Sequence, residues 1–340
     1  MNKEINKNNL KFIDLFCGIG GFRLALEKLG FECVFSCDID EHARNMYYYN
    51  FNDLPFKDIK KINIEDIPNF DILCAGFPCQ PFSLAGKRKG FNDTRGTLFF
   101  EIEKILKEKQ PKYFILENVK GLLTHDKGKT FHIIIENLKN LGYFVSYEVF
   151  SPKDFGIPQN RERIIIVGSL NPIKETKSIK TFLKTKYKNL EDYLDFKNKD
   201  FSNYKILDKK EYTLIDKELQ KEQKSGLIFV GYLNKNTRTK GVLPNTLHLS
   251  RVHRQCNRIY SSKGIAPTIT AGETSGRYYI YVEDLDIVVK LSIEDCYKLM
   301  GYPKEFIKIG KETNLYKRIG NSVCINMIYE IAKYIFENKQ

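Results

Sequence analysis

The chain has 340 residues, 55 of them Lys or Arg and 42 Asp or Glu, for a formal net charge of +13. Its 42% apolar and 29% charged residues make a globular composition rather than a disordered one, and the length suits one large plus one smaller domain. No run approaches the ~20 apolar residues that span a bilayer, the start MNKEINKNNL lacks a signal-peptide run, and eight cysteines without a C-x-x-C pair argue against a disulfide framework or a zinc site.

In chain order, KFIDLF (11–16) reads as a buried strand, CGIGG as a glycine turn and FRLALEKL (22–29) as a helix closed by Gly30. ECVFS (32–36) is a second strand and DILCAG (71–76) a third. A helix over 97–109, the strand YFILENV (113–119) and a helix over 130–141 follow, then the strands YFVSYEVF (143–150) and RIIIVG (163–168). Such alternation predicts an α/β fold with a doubly wound, Rossmann-like sheet. Beyond 170 the pieces are short, polar and rich in Lys and Asn. LSIEDCYKLMGY (291–302) then predicts a helix, and SVCINMIYEIAKYIF (322–336) an amphipathic one that packs back on the sheet.

The positive charge is not spread evenly. Residues 171–260 hold 20 Lys+Arg against 10 Asp+Glu, leaving only +3 for the remaining 250. Within 231–272 lie Lys235, Arg238, Lys240, Arg251, Arg254, Arg258 and Lys263, and no acid at all. A solvated face normally mixes both signs, so this stretch predicts a polyanionic partner, and arginine's planar fork suits phosphates and guanine edges. The rival reading is a Lys-rich surface produced by an AT-rich genome, which four arginines in seven do not favour.

Four places carry candidate chemistry. Gly18, Gly20 and Gly21 let the backbone approach a ligand after the first strand, and twenty residues past Gly18 the second strand ends at Asp38, an acceptor for ribose hydroxyls. The spacing is G-x-G-G, so a nucleoside without a pyrophosphate fits as well as NAD does. Cys79 sits in GFPCQPFS, boxed by Pro78, Gln80 and Pro81 at a strand end, where it is a nucleophile or an inert thiol. The other seven cysteines lie mostly in apolar runs and read as small hydrophobes. Glu117, followed by Asn118, ends the apolar run YFIL at the same sheet edge, and Arg161 and Arg163 precede a further strand, with alternation sending both to one face.

Together these stretches resemble the DNA (cytosine-5) methyltransferase family, above all the bacterial restriction–modification enzymes. The matching blocks are DLFCGIGGFRLAL (14–26), DILCAGFPCQPFSLAGKRKGF (71–91), RGTLFFEI (95–102), ILENVKGL (115–122), FGIPQNRERI (155–164), RIYSSKGIAPTIT (258–270) and LMGYP with IGNSV (299–323), in the family's order. The resemblance implies the S-adenosylmethionine-dependent methyltransferase fold: a catalytic domain over 1–172 completed by 308–340, and a smaller target-recognition domain over 173–307.

It further implies that the Cys79 thiolate adds to carbon 6 of a flipped-out cytosine while Glu117 stabilises a proton at N3. Arg163 contacts O2, with Arg161 and Asn118 in support. The cofactor is S-adenosyl-L-methionine, held by Phe16, Ile19, Gly20, Gly21, Asp38, Ile39, Asp58, Ile59, Leu98, Asn321, Ser322 and Val323. Ile39 departs from the family, many members of which place an aromatic residue there. A glycine-rich stretch over 83–97 looks like a lid over DNA. The residues expected to touch DNA are Gln80, Ser83, Lys87, Arg88, Arg95, Arg238, Arg251, His253, Arg254 and Asn257. The resemblance also implies double-stranded DNA as partner, a cognate restriction endonuclease as functional partner, a monomer, no metal, no membrane, and a cytoplasmic, nucleoid-associated location. Alternatives are a tRNA cytosine-5 methyltransferase, although the Cys-Phe-Thr element of that branch is missing, an inactive DNA-binding regulator, and an NAD-dependent dehydrogenase.

Overall fold

A computed structural model of the chain describes residues 10–78, 97–172, 187–234, 245–271 and 278–337. Six strands make the main sheet: β1 (Lys11–Leu15), β2 (Glu32–Cys37), β3 (Ile72–Gly76), β4 (Tyr113–Val119), β5 (Phe144–Phe150) and, after the two-residue β6 (Gln159–Asn160), β7 (Arg163–Ser169). Their order is β2-β1-β3-β4-β7-β5, parallel except for β7, which runs antiparallel to both its neighbours.

Alternation along the strands divides the core in two, since successive side chains leave a sheet on opposite faces. Tyr113 and Ile115 of β4 join Ile165 and Val167 of β7 in one cluster, against α1 (Gly21–Glu27) and the last helix, Ile325–Glu337. Phe114, Leu116, Ile164 and Ile166 enter the other, against α3 (Thr97–Lys109) and α4 (Lys129–Asn140). Helices therefore cover both faces, as a doubly wound sheet requires.

Two helices have no counterpart in the sequence reading. α2 (Glu41–Phe51) buries only Ala43, Met46 and Tyr47, too few for a readable period, and Asp40 caps it by accepting from the Ala43 amide at 3.0 Å. The helix Glu312–Asn321 ends before the final one begins at Ile325, so the apolar run from Ser322 onward starts later than the periodicity suggests. The helix expected over 291–302 is only Ile293–Lys298, opened by a capping box between Ser292 and Asp295.

The polar second half folds into a mixed five-stranded sheet that the sequence does not reveal. It comprises β8 (Tyr212–Leu214), β9 (Phe229–Leu233), β10 (Arg258–Ser261), β12 (Tyr279–Val282) and β13 (Ile287–Lys290), ordered β13-β12-β10-β9-β8, with β11 (Ala266–Pro267) pairing separately with β6. Phe229, Tyr260, Ile280 and Val289 face the same cluster as α1 and the last helix. Val230, Ile259, Tyr279 and Val288 build a small core on the opposite face. The two sheets thus share one continuous hydrophobic cluster.

Arg161 fastens this junction. Its side chain is 2% exposed, donates to the carbonyl of Ile269 at 2.7 Å and reaches those of Gly320 and Ser322 at 3.0 and 2.7 Å. Neighbouring Gln159 donates to Leu299 O at 2.8 Å. Burial, with the Arg163 charge adding to it, pushes the Arg161 guanidinium down to about 9, so it stays cationic at neutral pH. Arg161→Ala strips three buried carbonyls of their donor and is expected to cost about 3 kcal/mol or more of stability; a urea midpoint unchanged from wild type would contradict this.

Candidate active site

At the carboxyl edge of the parallel strands opens a cavity of about 850 Å³, where α/β sheets place their ligands. Phe16 and Gly18 reach it after β1, Asp38 to Asp40 after β2, Gly76 to Pro78 at the end of β3, and Glu117 to Val119 at the end of β4. β7 arrives from the opposite direction, so its first residue rather than its last stands at this edge. Val119 is opposite Arg163 in the antiparallel register, which puts Glu117 diagonally across on the same face. The outcome is an ion pair, Arg163 Nε to Glu117 Oε1 at 3.0 Å, with both side chains nearly buried.

Asn118 is also buried. It donates to the Phe77 carbonyl at 2.9 Å and accepts from the Val119 amide at 2.8 Å, so it ties β4 to the backbone two residues before Cys79. Cys79 itself lies outside the described residues, as do Gln80, Ser83, Lys87, Arg88, Arg95 and Arg238 and the expected lid up to residue 96. Among the described residues, none of the other seven cysteines forms a disulfide. Burial pushes Cys37 up to about 12 and Cys324 up to about 11, which leaves both protonated and unreactive at neutral pH. Arg161 and Arg163 both border the cavity, but Arg161 spends its terminal nitrogens on backbone carbonyls and acts as a structural tie.

The other end of the cavity has the chemistry for a nucleoside. Asp38 accepts from the amides of Gly18 and Asp40, both at 2.8 Å, one on each oxygen, leaving lone pairs free for a further donor pair such as ribose hydroxyls. Burial raises its pKa, against the pull of those two amides. Phe16, Ile59 and Leu98 supply apolar wall, and Asp58 and Asn321 also face the space. Ile39 is 70% exposed at the rim. Ile19, Gly20, Gly21, Ser322 and Val323, also expected at the cofactor, do not line the cavity. Gly20 takes a left-handed φ of 84°, and a Cβ on Gly21 would lie 2.7 Å from the Val323 side chain, so only glycine lets the turn close over the segment 322–323. Ser322 Oγ bonds Tyr302 Oη.

The profile of the C-5 cytosine-specific DNA methylase family matches residues 10–337. The chain belongs to that family. It is similar to the Type II methyltransferase M.HhaI of Haemophilus parahaemolyticus, with 37% identity covering 97% of this chain and 95% of the relative. It is also similar to M.HaeII of Haemophilus aegyptius, with 41% identity covering 95% and 91%. The solved structure of the S. pombe Dnmt2 methyltransferase superposes with a TM-score of 0.70 over 96% of this chain and 98% of the other; at 22% identity that likeness speaks for the fold. As a C-5 cytosine DNA methyltransferase, the protein acts on DNA and uses S-adenosyl-L-methionine as methyl donor. The Asp38 end of the cavity fits that cofactor's adenosine: a carboxylate with free lone pairs beside apolar walls. Among the described residues, no helix is long and apolar enough to cross a membrane.

The basic half is less uniform than its sequence. Arg251, on a short 3-10 turn, and Arg254, just before another, are exposed, whereas Arg258 gives two hydrogen bonds to the His253 carbonyl and Lys263 pairs with Glu191 and Asp284 at 3.0 and 2.9 Å. His253 is a correction to the list of DNA-reading candidates. It is 4% exposed, stacked on Tyr232 with ring centroids 4.1 Å apart, and bonded through Nε2 to the Leu247 carbonyl, so it props the loop from beneath and presents no edge to a base. Its position among arginines gave no hint of this, because the ring it stacks on is twenty-one residues away.

Asp14 escaped the sequence reading altogether. It lies on β1, fully buried, and neither carboxylate oxygen has a hydrogen-bond partner. Burial raises its pKa well above the usual carboxylate range, the Arg23 charge opposing. A raised native pKa means that stability declines as pH climbs above the unfolded value near 4, by up to about 1.4 kcal/mol per pH unit until the native carboxyl itself ionises. Asp14→Asn does not titrate. Its unfolding midpoint is expected to exceed that of the wild type at pH 8, with the advantage shrinking toward pH 4; a pH-independent difference would refute the assignment.

Proposed function

We propose that the protein methylates carbon 5 of a cytosine flipped out of a short, specific duplex DNA sequence, as the modification enzyme of a restriction–modification system. The observation that carries the residue assignment is the Glu117–Arg163 pair at 3.0 Å, set on the cavity wall beside Pro78 and sharing one space with Asp38 and Asn321. In this reading the Cys79 thiolate forms a bond to carbon 6 of the target ring. The displaced π electrons move toward carbon 5, Glu117 holds a proton at N3, and Arg163 donates to O2. S-adenosylmethionine, when bound, supplies the methyl group that carbon 5 takes up. Loss of the carbon 5 proton and expulsion of the Cys79 sulfur then restore the 5,6 double bond. Unstacking the base costs a few kcal/mol, recovered by contacts that the flipped ring makes in the pocket. Asn118 ties the backbone at Phe77, two residues before Cys79, to β4.

The same reading assigns residues 1–172 and 308–340 to catalysis and cofactor binding and 173–307 to target recognition. Arg251, Arg254 and Asn257, with Arg238, are the residues proposed to meet DNA. A monomer working in the cytoplasm beside a cognate endonuclease completes the proposal.

Incubation with tritiated S-adenosylmethionine and mixed-sequence duplex DNA is expected to label cytosine. DNA carrying 5-fluorocytosine is expected to trap the wild type covalently and not Cys79→Ser; equal trapping of both would remove Cys79 from its role. Because association releases counterions from phosphates, methyl transfer at subsaturating DNA is expected to fall steeply between 50 and 200 mM salt, roughly tenfold or more for a few phosphate contacts. A flat salt response would sever the link between the basic region and DNA.

A further inference from the structure

The cofactor end of the cavity has two walls that are distant in sequence: the loop after β2, carrying Asp38 to Asp40, and the end of the helix Glu312–Asn321, carrying Arg318 and Asn321. One ion pair joins them. Arg318 is 6% exposed and sets a terminal guanidinium nitrogen 2.6 Å from Asp40 Oδ1. Its Nε is buried without a partner, so Asp40 supplies the bond that compensates for burying this charge. The same Asp40 oxygen accepts from the Ala43 amide and thereby caps α2. The Asp40 amide in turn donates to Asp38, whose second oxygen takes the Gly18 amide. A continuous polar chain therefore runs from Arg318 through Asp40 and Asp38 to the glycine turn.

Ile39, between the two acids, is 70% exposed. The loop is consequently held by its polar tethers rather than by burial of its own apolar side chain. If those tethers loosen, Asp38 samples positions in which its free lone pairs no longer point into the cavity. Only the competent fraction binds, and apparent affinity drops by that fraction.

We infer that Arg318 and Asp40 form a latch that pre-organises the adenosine end of the cavity, making Arg318 a positioning residue for cofactor affinity rather than for DNA binding or methyl transfer itself. The inference rests on the reading of this cavity as the S-adenosylmethionine site. The ends of the cavity are otherwise separate: Arg163 and Glu117 pair with each other, not with the latch.

Three variants test it. Arg318→Gln and Asp40→Asn each remove the charge attraction while keeping a hydrogen-bonding side chain, and Asp40→Asn retains an acceptor for the α2 cap. Each is expected to raise the KM for S-adenosylmethionine at least about tenfold, the order lost with one charge-assisted hydrogen bond. The kcat at saturating cofactor and the Kd for duplex DNA should change less than about twofold. Arg318→Lys, which restores the charge, should recover part of the affinity. The double variant should be no worse than the weaker single, because both break the same contact. Titration calorimetry with S-adenosylhomocysteine gives the readout without turnover. Failure of the wild type to bind it would overturn the reading of the cavity. Wild-type binding with unchanged KM in both single variants, or additive losses in the double, would overturn the latch. Should Arg318→Gln prove insoluble, Asp40→Asn, on a side chain about one-third exposed, carries the test alone.

Discussion

One cation holds the architecture together. Arg161 arrives from the segment before β7, yet all three carbonyls it satisfies belong elsewhere: Ile269 just beyond β11, and Gly320 and Ser322 at the close of the Glu312–Asn321 helix. Burying a guanidinium is expensive unless its donors are used. Here they gather two distant backbone segments, one at Ile269 and one at Gly320 to Ser322, whose carbonyls would otherwise be stranded in a protein interior. The position of segment 320–323 against the glycine turn, and with it the shape of the cofactor end, depends on that gathering.

A second constraint is topological. In a wholly parallel sheet, the residue that begins a strand lies at the edge opposite the one where its neighbours end. Reversing a single strand brings Arg163, at the start of β7, to the place where β4 delivers Glu117. The antiparallel register then decides which face both occupy. The acid and the cation meet through strand direction and pairing alone, with no loop needed to present either of them.

The sequence was most legible where period and chemistry coincide. Long apolar strands such as YFIL and RIIIVG, the glycine turn and the apolar period of α4 follow local rules, and Asp38, Glu117 and Arg163 stand at the ends of such strands. Legibility failed where a residue's role is set by distant backbone. Arg161 looked like a companion of Arg163 in catalysis because the carbonyls it binds lie more than a hundred positions away. His253 looked like a reader of bases because Tyr232, which covers it, is remote in sequence. The strands of the small sheet, three to five residues each, are too short to stand out among lysines and asparagines, and they become strands by pairing with one another. Asp14 was silent for a different reason: an acid inside a strand pattern reads as solvated until burial proves otherwise.

The shared hydrophobic cluster also bears on how such a protein can change over evolutionary time. Phe229, Tyr260, Ile280 and Val289 lie in the same core as Phe22, Ile328 and Ile331, so the strands beneath the basic region are bound to the helices of the main sheet by packing that tolerates little alteration. Arg251 and Arg254 instead project from short turns outside those strands, where substitution costs little stability. If those turns meet DNA as proposed, new preferences can arise on them while the core beneath stays fixed, and a graft that cut through the strands would sacrifice stability first.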